Sequence, residues 1–488
     1  MAFLSASSSI IPRVFRRFVP TATLVLLAGT GLSLLPPCFA QSGSWTSTGS
    51  MREYRRGHSA TLLKDGTVLV EGGFTFSGDT AGAEIYSPAK HQWRPTGAMN
   101  VPRNGHSATL LKDGRVLVAG GRSSLVQQAS AELYDPTTHT FTFTGSMNVA
   151  RTIHGAGLLS NGKVLVIGGV GSDTSYLASA ELYDPTTETW SMTGSLSTSR
   201  VEHTTTGLTD GRVLVAGGLT DPLSAEIYDP ATGVWTSTGS MNVRRWLHTA
   251  TLLSDGKVLA AGGYLSADGT CELYDPATGT WTLTGSMSID RNEHTAVLQY
   301  DGTVLVAGDP NSSSSELYDP VTGTWSSAGD LKDQRTLHTM TRLRDGTTLV
   351  AGGNKFPTIA LNSAEIYTPA SIEPMNVNGI GTFNSSAGTA TFRMDVTGTH
   401  GMPTGDLTYS DPDANVTFGR VGLRKLTISG NTATITGSVT LDNGTGKVAF
   451  TATAVDNSAN GSTDTLSITL NNGYSASGTL TSGNINIQ

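Results

Sequence analysis

The chain has 488 residues, enough for two or more domains with a core apiece, and 58 of them are glycine. Only 14% are charged, and no segment carries a long apolar period of 3.6, which suits an all-β protein with many tight turns. The net charge of −8 is dispersed and no basic tract is present, which argues against nucleic acid and anionic lipid as partners.

Residues 1–40 read as a signal peptide. Arg13, Arg16 and Arg17 form a basic start, and Thr21 to Leu35 is apolar. Pro36 and Pro37 follow, then Ala40 as the expected cleavage point. An apolar run of about 15 residues is shorter than the roughly 20 that a spanning helix needs, so no membrane span is expected after cleavage. The protein is therefore expected to be exported, to the periplasm, the cell surface or the medium. With Cys38 removed, Cys271 is left alone and no internal disulfide forms. Cys271 stands where other repeats carry alanine, so a small buried side chain is expected there.

From residue 41 to 369 the chain repeats itself. Arg-x-x-His occurs as Arg55/His58, Arg103/His106, Arg151/His154, Arg200/His203, Arg245/His248, Arg291/His294 and Arg335/His338. Each histidine opens a short β-type run that reaches Asp-Gly or Asn-Gly, from Asp65-Gly66 to Asp345-Gly346, expected to form a type I′ hairpin turn. A second apolar strand ends in Gly-Gly, and a loop of variable length leads to Glu-Leu/Ile-Tyr. A further turn brings Trp93, Phe141, Trp190, Trp235, Trp281 or Trp325. Four short strands per repeat, seven times over, describe the blades of a β-propeller, with Tyr and Trp wedging one blade onto the next.

These marks resemble the kelch repeat, which implies a seven-bladed propeller like the central domain of galactose oxidase. Trp45–Met51 duplicates Trp235–Met241 yet precedes the first Arg-x-x-His, while the last unit, ending at Tyr367, lacks a Trp strand. The N-terminal segment is therefore expected to supply the outer strand of blade 7.

After Pro369 the kelch marks stop. Residues 370–378 read as a linker and 379–488 as a β-sandwich-like domain, with strands at Thr389–Val396, Lys425–Ser429, Ala433–Gly437, Lys447–Val455 and Thr465–Leu470. Its end, Gly483–Ile487, is similar to C-terminal β-modules of exported bacterial proteins. Asp456, Asn457 and Asp464 admit a calcium reading, against which stands an ordinary polar loop.

Seven histidines on a ring are a structural feature of every blade rather than a metal cluster, so neither metal nor cofactor is expected. The seven arginines admit two readings. In one, each pairs with the glutamate of Glu-x-Tyr (Glu84, Glu132, Glu181, Glu226, Glu272, Glu316, Glu365); in the other they form a positive rim that captures an acidic ligand. Binding residues are expected where the repeat is broken. Those between Arg and His include Trp246, Glu202 and Glu293; those after Gly-Gly include Phe74, Phe76, Tyr176, Tyr264 and Phe356, with Asp309 in place of a glycine. The expected partner is a glycan or protein held on that face, with no assigned catalytic residue. The alternative is a carbohydrate-active enzyme, an epimerase or hydrolase, using Glu202, Glu293 or Asp309. Bacterial sialate epimerases also resemble this ring. The copper-radical oxidases need a Tyr-His pair and a tyrosine-linked cysteine; no Tyr-His pair occurs here, and His400 alone does not make such a site.

Overall fold

In a computed structural model, the described residues are 43–355, 359–370, 375–385, 387–398, 404–419, 421–429, 432–441, 447–457 and 463–487. The expected signal peptide lies outside them. The described residues are almost wholly β; the only helical turns are Pro88–Lys90 and Ala267–Gly269, and no helix is long and apolar enough to cross a membrane.

Seven four-stranded antiparallel sheets form the blades. Blade 1 runs Ser59–Leu62, Val68–Glu71, Ala83–Ser87 and Gln92–Pro95. Blades 2 to 6 begin at Ser107, Gly155, Thr204, Thr249 and Thr295. Blade 7 comprises Thr339–Arg342, Thr348–Ala351 and Ala364–Thr368, and its outer strand is Ser44–Thr48. That strand pairs antiparallel with Ala364–Thr368, Trp45 opposite Tyr367, so the ring closes as the duplicated Trp-Thr-Ser-Thr-Gly motif implies.

Second strands such as Val116–Ala119 are buried on both faces because each blade is packed between two others. The tyrosines of Glu-x-Tyr are fully buried, each about 5 Å from the Trp or Phe opposite it. In five blades the indole Nε1 donates 2.7–2.9 Å to a glycine carbonyl just past the outer strand of the preceding blade. The aromatic pair is thus both wedge and latch between blades.

The Asp-Gly turns correct an expectation. A type I′ turn needs positive φ at both central residues. In the structure only the glycine is left-handed (Gly66 at φ 88°), Gly66 N–H donates to Leu63 O at 3.0 Å, and Asp65 Oδ1 accepts the N–H of Thr67 at 2.9 Å. The aspartate is selected for capping the amide two residues on, within a three-residue loop that ends in glycine.

The C-terminal region is one nine-stranded antiparallel sheet. In spatial order it runs Val416–Phe418, Thr404–Asp411, Thr389–Gly398, Met375–Asn384, Ser475–Ile487, Thr465–Leu470, Lys447–Val455, Thr432–Thr440 and Val421–Ser429. The Met375–Asn384 strand takes up part of the stretch read as a linker. Ser475–Ile487 changes partners midway: residues 475–479 pair with Thr465–Leu470 and residues 480–487 with Met375–Asn384, past a bulge at Thr382/Phe383. The sheet curls there, and its two halves share one core with Phe392, Tyr409, Ile435, Phe450 and Ile468. The two layers expected of a sandwich are therefore halves of one continuous sheet. Asp464, considered for calcium, is buried and accepts the N–H of Asn457 at 2.8 Å and of Ile485 at 2.7 Å, which makes it a loop anchor.

Candidate functional site

The Arg-x-x-His segments cross from the outer strand of one blade to the inner strand of the next. In the second, Met99 and Arg103 donate backbone N–H groups to Ala81 and Thr80 of blade 1. The Arg103 side chain turns into blade 2, where Nη1 donates to the carbonyls of Gly120 and Ser130 and Nη2 to Glu132 Oε1 at 3.0 Å. Glu132 also accepts the N–H groups of Asn100 and Val101. All seven Arg–Glu pairs form, at 2.6 to 3.3 Å, and all seven arginines are 0% exposed. Arg55, Arg103, Arg151, Arg200, Arg245, Arg291 and Arg335 are therefore clamps between blades. The positive-rim reading fails because every guanidinium is buried and spent on carbonyls and a carboxylate.

The histidines complete the junction. Nε2 of His58, His154, His248, His294 and His338 meets a Ser or Thr hydroxyl on the inner strand of the preceding blade at 2.7–3.1 Å. The Gly-Gly pairs make room for them: a Cβ on Gly72 would lie 2.5 Å from His106 Cε1, and one on Gly121 2.8 Å from His106 Cβ. Burial, reinforced by the neighbouring arginine, pushes His106, His203, His294 and His338 down to about 3, so the imidazoles are neutral.

The residue just before each histidine is left-handed. Gly57, Gly105, Ile153, Glu202, Leu247, Glu293 and Leu337 all have φ between 51° and 60°. Their backbones link successive blades: Gly57 N–H donates to Leu337 O, Gly105 to Gly57, Ile153 to Gly105, Leu247 to Glu202 and Glu293 to Leu247. Five non-glycine residues thus hold a conformation that costs roughly 1–2 kcal/mol each, and such strain clusters at functional positions. Glu202 and Glu293 flank Leu247 on this ring. Burial first, and then the charge of Glu293, raises the Glu202 carboxyl above its ordinary value.

One residue further out, the position after each arginine pairs with the residue after Gly-Gly. The pairs are Arg56 with Phe74, Asn104 with Arg122, Thr152 with Val170, Trp246 with Tyr264 and Thr336 with Asn354; Leu219 N–H also donates to Val201 O. In blade 6 the corresponding residue is Pro310, which has no N–H to give. One frame thus displays a different side-chain pair from blade to blade. The Trp246 and Tyr264 rings stack at 5.3 Å and 12°, with Tyr264 52% exposed. On the far side of the ring, Tyr54 and Phe76 pack at 5.3 Å beside a cavity of about 420 Å³ that includes Glu53 and Thr80. Arg56 lies 5.2 Å over the Phe74 ring.

Of the residues singled out from the sequence, the structure gathers Trp246 with Tyr264 and places Glu202 and Glu293 on the inner ring. Tyr176 is exposed in the blade 3 loop, where it bridges Val170. Phe356 lies outside the described residues. Asp309 is 5% exposed, and its carboxylate accepts backbone N–H groups of Asn311 and Asn292, so it organises its loop and presents little to a ligand. Tyr54 was missed. Its signal was the departure of Met51-Arg-Glu-Tyr-Arg55 from the Met99-Asn-Val-Pro-Arg103 pattern.

Seven blades joined by these clamps make the chain a seven-bladed kelch-type β-propeller with a C-terminal curled β-sheet. The kelch motif family model matches residues 102–148, 156–197 and 245–288. Among solved structures, the chain is similar to a fungal alcohol oxidase of the AA5 family, solved in complex with copper. The TM-score is 0.57 at 16% identity, over 90% of this chain and all of that one, a likeness of fold alone. No curated protein matches the chain.

The residues present do not fit a copper-radical centre. Cys271 is 0% exposed in a blade interior, its thiol is pushed up to about 11 by burial, and it sits near Gly269 O. The kelch tyrosines are consumed as blade wedges. Among the described residues no three His, Cys, Asp or Glu side chains converge on a common point. His400 lies outside the described residues.

Proposed function

We propose that this is an exported binding protein whose propeller holds a glycan on the Arg-x-x-His face. Export rests on the Arg13–Ala40 segment, and residues 41–369 and 379–488 are taken as the two modules of the mature chain. The observation that carries the reading is the stacked Trp246–Tyr264 pair, exposed on a frame fixed by strained backbone and buried ion pairs. A rigid, half-exposed aromatic surface suits the C–H face of a sugar ring. Because the seven arginines are neutralised, the charges on the inner ring are the carboxylates of Glu202 and Glu293. The inner ring beside Trp246 is therefore matched to neutral or amino sugars rather than to sialic or uronic acids, while Arg56 and Arg122 stand further round the frame.

The test is a glycan array probed with residues 41–488, followed by titration of the best ligand against Trp246→Ala and Tyr264→Ala. The expected result is a loss of affinity of tenfold or more in each, about 1.4 kcal/mol. No glycan binding, or binding indifferent to both substitutions, would remove the reading and leave a protein partner or a scaffold role.

A second reading is supported by the raised carboxyl of Glu202 beside Glu293: a hydrolase or epimerase working at the same mouth, with the two carboxyls as its acid–base pair. It requires that Glu202→Gln and Glu293→Gln abolish turnover of a bound glycan while leaving its affinity intact.

A further inference from the structure

The outer face of the C-terminal sheet carries a groove of about 590 Å³, well away in sequence from every residue of the propeller face. It crosses the strands Met375–Asn384, Thr389–Gly398, Thr404–Asp411 and Val416–Phe418 and the end of Ser475–Ile487. The pairing registers place Ser482 opposite Thr382, Thr382 opposite Thr391, Thr391 opposite Ser410 and Ser410 opposite Thr417. Five strands thus contribute one hydroxyl each to a single row that runs across the sheet. Successive members stand about 4.8 Å apart, the strand spacing, which is close to the length of one pyranose ring.

The row is partly pre-oriented. Thr382 Oγ1 lies 2.8 Å from Ser482 Oγ, and Ser410 Oγ lies 2.9 Å from Thr417 Oγ1. Thr391, at its centre, makes no side-chain hydrogen bond among the described residues. The adjacent row sets Ile380 opposite Arg393 and Arg393 opposite Thr408. Ile380 is 63% exposed and gives an apolar patch. Arg393 is the one charged residue lining the groove, is exposed, and forms no ion pair among the described residues.

Hydroxyls that both donate and accept suit the hydroxyls of a sugar chain, and an unpaired guanidinium suits a carboxylate, which it can grip with two parallel N–H groups. We infer that this groove binds a linear oligosaccharide bearing uronate carboxylates, laid along the hydroxyl row with one carboxylate on Arg393. The site is independent of the propeller face and takes ligands of the opposite charge preference.

The experiment is calorimetric titration of residues 41–488 with oligogalacturonate, and with the same oligomer after reduction of its carboxylates to alcohols. Expected are binding of the acidic oligomer, at least tenfold weaker binding of the reduced one, and a loss of tenfold or more in Arg393→Ala. Arg393→Lys keeps the charge and loses the fork, and is expected to fall between. Thr391→Val removes a central hydroxyl without changing shape, and should weaken binding several-fold. Trp246→Ala should change nothing, which separates this site from the propeller face. Equal affinity for the reduced oligomer, or full affinity in Arg393→Ala with an unchanged melting temperature, would overturn the inference, as would the absence of any binding.

Discussion

Gly155 stands where the hydroxyl partner of His203 belongs. At five of the seven junctions a Ser or Thr on the preceding inner strand meets the histidine Nε2. At this one a Cβ on Gly155 would fall 2.8 Å from Nε2 of His203 and would run into Thr205 Oγ1. Both nitrogens of His203 and the Thr205 hydroxyl are buried without partners among the described residues. Thr205 sits where blades 1, 2, 3, 5 and 6 carry Ala60, Ala108, Ala156, Ala250 and Ala296.

The pair predicts a non-additive result. Gly155→Ser alone should destabilise, because the new side chain meets Thr205. Gly155→Ser with Thr205→Ala restores the arrangement of the other blades and should stabilise by about 1 kcal/mol, the worth of one hydrogen bond. Urea unfolding of the two variants and the parent reads both signs.

Glu132→Gln should cost about 3–5 kcal/mol, because it strands the buried Arg103 guanidinium without its counter-charge. Were the arginines a ligand rim, the same substitution would alter binding and leave stability alone. Denaturant midpoints separate the two outcomes.

Two sets of buried groups make stability depend on pH in opposite senses. His106, His203, His294 and His338 are held near 3 in the folded chain, and His58, His154 and His248 well below 6.5, but all take up protons below about 6.5 once unfolded. The unfolded state therefore binds more protons, and stability is lost as pH falls below 6.5. Glu71 acts in the opposite direction. It is 0% exposed, both its oxygens lack partners among the described residues, and burial raises its carboxyl well above 4.5. It stays protonated in the fold while the unfolded chain ionises, so stability falls as pH rises above 4.5 toward the folded value. Blades 2, 4, 5, 6 and 7 carry alanine at this place: Ala119, Ala216, Ala261, Ala307 and Ala351. Glu71→Ala should therefore stabilise by roughly 1–3 kcal/mol at pH 7 and by less at pH 4.5. Melting curves at the two pH values check the difference.

Trp45→Ala should cost about 2–4 kcal/mol, and more than Trp190→Ala. Trp45 packs 5.2 Å from Tyr367 and donates to Ser315 Oγ at 2.8 Å, so its loss also frees the one outer strand that is not continuous with its own blade. Limited proteolysis should then cut first near residue 50, whereas Trp190→Ala leaves that segment protected.

Most of the propeller was legible because each feature came in sevenfold copies. The closing strand was betrayed by Trp45–Met51, and the Arg–Glu clamps by two charges kept in constant phase. The left-handed ring was not legible. Gly57 and Gly105 hint at it, but Ile153, Leu247 and Leu337 oppose it by local preference, and the ring of backbone bonds overrides them. The C-terminal sheet was half read. Met375–Asn384, Thr404–Asp411 and Ser475–Ile487 are so rich in Gly, Asn, Ser and Thr that their alternation carries little apolar contrast, and Val416–Phe418 is only three residues long. The exchange of partners along Ser475–Ile487 leaves no mark in composition at all. At the candidate site, deviations from the repeat pointed to Trp246 and Tyr264, while the side on which the arginines would be buried could be settled only by geometry.

The seam of the ring has a mechanical consequence. Ser44, where the closing strand begins, lies opposite Thr368, where its partner strand ends. The chain enters and leaves the propeller at the same end of one antiparallel pair. Tension applied through the flanking segments would therefore load the backbone bonds of that pair one after another, as in a zipper, instead of all together in shear. Under load the ring should open at blade 7, at low force, with the other six blades still folded.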